Sequence, residues 1–133
     1  MKLIYLYLLT LPVFFVIDML WIGVLAKDFY RNNLGHLFRE NINWAAALIF
    51  YFLYIIGILI FATLPAMEKQ SLGRAVLLGA LFGFFAYATY DLTNFATLKD
   101  WPLKVTVVDM IWGMVLTASV AAASYLIGRW LMP

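Results

Sequence analysis

Residues 74–98 read RAVLLGALFGFFAYATYDLTNFATL. After Arg74 no charged residue occurs until Asp91, and after Asp91 none until Lys99. About 20 apolar residues of helix cross the hydrocarbon core of a bilayer. The stretch lacks the period-2 alternation of a membrane strand. In hydrocarbon each backbone N–H and C=O must be satisfied within its own segment, so the stretch reads as a transmembrane helix. Asp91, Thr93 and Asn94 then sit inside a span, where polar side chains cost most.

The same pattern recurs along the chain. Spans are expected at residues 3–25, 43–64, 74–98 and 103–131, joined by AKDFYRNNLGHLFRENI, PAMEKQSLG and KDWP. Composition agrees: 66% of the residues are hydrophobic, and nine Lys and Arg with seven Asp and Glu cannot coat a water-soluble surface. The expected fold is all-α: one polytopic integral membrane domain over residues 1–133, with four transmembrane helices in a compact bundle. The first apolar run outlasts the roughly 7–15 residues of a signal-peptide core, so it is expected to be retained as a span. The net charge of +2 gives no reason for a nucleic-acid partner; membrane lipid is the expected one. With no cysteine, thiol catalysis and Cys-based metal sites are excluded.

Let face A be the side of the N-terminus and face B the opposite side. Lys2, Lys69, Arg74 and Arg129 fall at face A; Lys27, Arg31, Arg39, Lys99 and Lys104 fall at face B. This near balance gives the positive-inside rule little to act on. Trp44, Trp101 and Trp130 lie near span ends, where an aromatic belt belongs. In the first connector Phe29, Tyr30, Asn33, Leu34, Leu37 and Phe38 recur at helical spacing, with Lys27, Arg31 and Arg39 on another side. A short interfacial helix is expected there, between the first and second spans. Ala75, Gly79 and Gly83 form a small-residue stripe suited to close helix packing, within the chain or between copies. His36, the only histidine, falls in the connector and reads as a surface residue.

Asp18, Asp91 and Asp109 are the acids within spans. Counted at 1.5 Å per residue, all lie about 9–12 Å below face B, although they come from strands of chain running in opposite directions. Tyr51 reaches the same level. VIDMLWIG and VVDMIWGM share D-M-x-W, which puts Asp18 with Trp21, and Asp109 with Trp112, on one helix face. Tyr87, Asp91 and Asn94 share a face similarly. An indole N–H only donates and suits a carboxylate. These eight residues form the candidate functional cluster: Asp18, Asp91, Asp109, Asn94, Trp21, Trp112, Tyr87 and Tyr51. The competing reading is interhelical glue, which Asn94, Thr93 and Thr106 could provide without charge.

LGHLFRENINWAAALIFYFLY, GALFGFFAYATYDLTNFATLKDWPL and VVDMIWG, with DMLWIGVLAKDFYR near the start, resemble the bacterial membrane family named domain of unknown function 2177. The block Tyr90–Asn94, Y-D-L-T-N, carries the most specific part of the resemblance. It implies a small four-helix protein of the bacterial inner membrane and implies no activity. No G-x-S-x-G, P-loop, G-x-G-x-x-G or H-E-x-x-H motif points to a soluble-enzyme chemistry. The residues favour cation- or proton-coupled transport by a self-associating protein. An accessory subunit of a membrane complex and a lipid-modifying enzyme using a metal held by the carboxylates are the alternatives, with a non-catalytic role preferred. Cofactor and metal stay open.

Overall fold

A computed structural model describes all 133 residues. Four helices are long and apolar enough to cross a membrane: α1 (Lys2–Leu25), α3 (Trp44–Glu68), α4 (Leu72–Thr97) and α5 (Leu103–Leu131). The short helix α2 (Lys27–Leu34) and a 3-10 turn (Gly35–Leu37) lie between the first two. Large apolar side chains cover the outside: Leu53, Phe61 and Phe85 are 62%, 60% and 63% exposed. Such a surface suits acyl chains and not water.

Local sequence sets the helix ends. Asn43 caps α3 by accepting from the Ala46 N–H at 3.1 Å, and Ser71 caps α4 by accepting from the Arg74 N–H at 3.0 Å. The Ser71 cap starts α4 two residues before the position expected from hydropathy alone. The second span was expected to stop at residue 64, before Pro65, yet α3 continues to Glu68. Proline lacks an N–H and its ring crowds the carbonyl four residues back. Residues Leu59–Thr63 adopt a wider π turn immediately before it, which makes that room. A second π turn, Trp21–Leu25, ends α1 where the Ala26 N–H bonds the Trp21 carbonyl at 2.7 Å.

The small-residue stripe is used inside the chain. A Cβ on Gly79 would sit 2.8 Å from both the Ala121 Cβ and the Thr117 carbonyl, and one on Gly83 would strike the Gly113 carbonyl. These gaps let α4 and α5 run in close contact. Phe14, Ile55, Ile58, Leu116 and Val120 fill the middle of the bundle. The interhelical polar contacts at that level are Tyr54 with Thr117 at 2.8 Å and Thr63 with Ser124 at 2.6 Å. Thr93, expected to serve in that way, bonds back to carbonyls of its own helix, and Thr106 takes the indole N–H of Trp101 at 3.2 Å.

At the B end α2 folds across the bundle, burying Leu34 against Trp101 and Val105 with Phe29 and Tyr30 alongside. Trp44 and Trp130 are 58% and 75% exposed, as belt residues should be; Trp101 is 8% exposed and belongs to this buried cluster instead. His36 lies exposed in the 3-10 turn.

Candidate functional site

Beneath α2, a cavity of about 840 Å³ opens among the B halves of the four spans. Its wall contains Asp18, Asp91, Asp109, Trp21, Trp112, Tyr51 and Tyr87. Seven of the eight cluster residues expected from the sequence therefore meet around one space, while Asn94 does not line it. Asn94 sits nearer the B surface and turns toward Tyr90, one helical turn back. Sharing a helix with Asp91 was not enough, because the wall ends before that last turn of α4.

Each acid has a different environment. Asp18, 3% exposed, accepts a long 3.4 Å hydrogen bond from the Trp112 indole N–H, and Tyr51 is close to it. Asp109 accepts from the Tyr30 hydroxyl at 2.8 Å, and that hydroxyl accepts from the Trp21 indole N–H at 3.0 Å. The two D-M-x-W stretches thus exchange partners: each indole serves the acid of the other helix, one directly and one through Tyr30. The indoles themselves stack, with centroids 4.5 Å apart and planes 9° from parallel. Antiparallel helices bring each indole level with the other's acid, a pairing that i, i+3 spacing within one helix does not convey.

Asp91 stands apart. It is 0% exposed, and neither carboxyl oxygen has a hydrogen-bond donor. The carboxyl of Asp109 adjoins it. An unpaired ionised carboxylate in such a place is strongly disfavoured. Asp91 can exist there as a neutral acid, as half of a proton-sharing pair with Asp109, or as the counter-ion of a bound cation. Tyr87 lies within electrostatic range of both Asp18 and Asp109, in the middle of the group.

Three polar wall residues come from the first connector, and sequence reasoning placed none of them at the site. Tyr30 is one. Burial, with the Asp109 carboxylate beside it, pushes its phenol above the ordinary tyrosine value. It therefore stays protonated and serves as a donor. The others are Lys27 and Arg31, exposed at the rim. Of the basic residues at face B, these two line the cavity, and Lys99 and Lys104 do not. The signal was present in the aromatic spacing of Phe29, Tyr30 and Leu34; what it lacked was the direction in which α2 folds. No three of the acidic or histidine side chains converge on a point where a metal ion would be held.

A family model described as "Predicted membrane protein (DUF2177)" matches residues 3–126, most of the chain. No curated protein and no solved structure matches it.

Proposed function

The chain belongs to the DUF2177 family of predicted membrane proteins, and on that footing we propose that it binds a cation in the intramembrane cavity and exchanges it for a proton. One observation carries this reading: Asp91 is wholly buried on the cavity wall, has no donor, and adjoins a second carboxyl. Ionisable groups within spans are expensive and are found on ion pathways and proton relays. Asp109 accepts from the Tyr30 hydroxyl, whereas Asp91 has only the neighbouring Asp109 carboxyl and no donor of its own. In the empty site a proton rests on Asp91 or between the two carboxyls. An arriving cation supplies the missing counter-charge and releases that proton.

In a bacterium a helical bundle of this kind belongs to the inner membrane, since the outer membrane takes barrels. Four helices do not enclose a pathway by themselves, so transport would need a second copy. That copy would pack through a face other than the glycine stripe, which α5 already fills.

Lys27 and Arg31 on the cavity wall give the lipid-modifying reading a contact for a phosphate headgroup. A metal held jointly by the three carboxylates is not supported, because they do not converge on one point. The accessory-subunit reading requires a partner's Lys or Arg to reach inside the bundle, because Asp18 and Asp91 are buried there.

The test uses purified protein in proteoliposomes with an imposed pH gradient. Sodium, potassium or tetramethylammonium chloride is added in turn while internal pH is followed with a trapped dye. At least one cation should drive proton release from the wild type. Asp91→Asn should abolish it, and Asp28→Asn, on the exposed start of α2, should not. Absence of cation-driven proton movement, or its persistence in Asp91→Asn, would sink the proposal.

A further inference from the structure

We infer that the cavity takes an organic ammonium ion carrying an apolar body, and that this ligand arrives from the bilayer. The inference rests on the cation reading above and narrows it to one chemical class. Size is the first argument. An inorganic ion or a proton needs only a small fraction of about 840 Å³, a volume within the roughly 300–1,000 Å³ range of organic-ligand pockets. Shape of the donor set is the second. A small hard cation held by side chains alone calls for several oxygen ligands converging on one point, and no three carboxyls do so here. What the wall offers instead is separated carboxyls among aromatic rings.

The third argument is the chemistry of those rings. The stacked indoles of Trp21 and Trp112, with Tyr87 and Tyr54, turn the cavity into an aromatic enclosure beside the acids. Ring faces attract cations, and they do so most effectively for ions that have left water. An ammonium with alkyl substituents is weakly hydrated and loses less on leaving water than sodium does. Sixteen of the 22 wall residues are hydrophobic, so the ligand's body has apolar surface to cover. Asp91, buried and without a donor, is the unpaired acceptor at the centre of this arrangement.

The route follows from charge. Lys27 and Arg31 stand on the rim toward face B and repel a cation approaching from water. On the side facing lipid the wall includes Ile22, Phe50 and Tyr90, which are 43%, 49% and 55% exposed. An amphiphilic ammonium dissolved in the bilayer passes these residues without meeting a positive charge.

The ammonium could belong to a free amphiphile or to a lipid headgroup, and the experiment separates them. Wild-type protein is placed in nanodiscs of phosphatidylglycerol and titrated calorimetrically with trimethyl(phenylpropyl)ammonium. Parallel titrations use its uncharged isostere, with carbon in place of nitrogen, and sodium chloride. We expect saturable binding of the ammonium and at least tenfold weaker binding of the isostere. Trp112→Leu should weaken the ammonium at least fivefold, and so should Asp91→Asn, each with helicity checked by circular dichroism. If added phosphatidylethanolamine displaces the ammonium, the class stands and the lipid headgroup is its source; if it does not, the class stands with a free amphiphile. Equal binding of isostere and ammonium would overturn the inference. Binding of sodium without the ammonium would overturn this inference and leave the cation reading intact. Failure of every cation to bind would end both.

Discussion

Tyr30 links the first connector to the Asp109 carboxyl. Its hydroxyl receives the Trp21 N–H at 3.0 Å and gives its own proton to Asp109 at 2.8 Å. A hydrogen bond to a charged group contributes about 1.5–3 kcal/mol, which is tenfold or more in an equilibrium constant. Tyr30→Phe keeps the ring that packs beside Trp101 and Val105 and deletes only the hydroxyl. Asp109 then loses its donor and the fixed position from which it faces the cation. Binding of the ammonium probe at neutral pH should weaken by about tenfold, while the far-ultraviolet circular dichroism stays unchanged. An unchanged affinity in the calorimeter would mean that Tyr30 serves packing alone. Tyr30 also marks where sequence reasoning stopped. The three acids could be set at one depth by counting residues, because helical rise is fixed. A donor brought in by a connector folding back over the bundle follows no such count.

Among the elements, the α4–α5 pair is the framework on which Asp91 and Asp109 meet. Gly83 lies two turns before Asp91, and Gly113 one turn after Asp109. A Cβ on Gly83 would meet the Gly113 carbonyl and the Thr117 hydroxyl, and one on Gly113 would meet the Tyr87 ring. Backbone cannot yield as a flexible side chain does, so the helices would have to separate. Gly83→Ala should therefore destabilise the fold by about 1–3 kcal/mol, the usual cost of overpacking. Gly23→Ala is the control, since a Cβ there meets nothing within 4 Å, and it should cost nothing. Unfolding in mixed micelles measures both. Equal stability of the two variants would show that the helices tolerate separation. The stripe itself was legible in the sequence, but its partner was not. These helices are apolar on all sides, so hydropathy names no inward face. Only small and polar residues mark one, and a stripe of glycines fits a neighbouring helix of the same chain as well as one from another copy. Trp101 was misplaced for a related reason: proximity to a span end suggests a belt residue, and only the fold of α2 shows that it is covered.

For the molecule as a whole, the open quantity is which way the cavity faces. All four spans are in place, and the short connectors keep Lys69 and Arg74 at face A and Lys99 and Lys104 at face B. Counting Lys2 and Arg129 at A, and Lys27, Arg31 and Arg39 at B, the balance is four against five. Orientation follows the excess of Lys and Arg in short loops, and one charge is a thin excess. It favours face B toward the cytoplasm, with the cavity mouth on that side. Lys99 and Lys104 flank the α4–α5 turn and do not line the cavity, so they can be altered without touching the acids. Replacing both by Ala leaves three charges at B against four at A and reverses the excess. A reporter fused to the C-terminus, at face A, reads the result. Phosphatase activity, which requires the periplasm, should fall at least severalfold from wild type to the double variant. Fluorescence of a cytoplasmic reporter at the same position should rise in step. If both reporters already signal in the wild type, the cavity is presented to both sides of the membrane. A pair of opposed copies would then give the cation a site facing each compartment. Reporter signals that ignore the double substitution would show that orientation is fixed by something other than this charge balance.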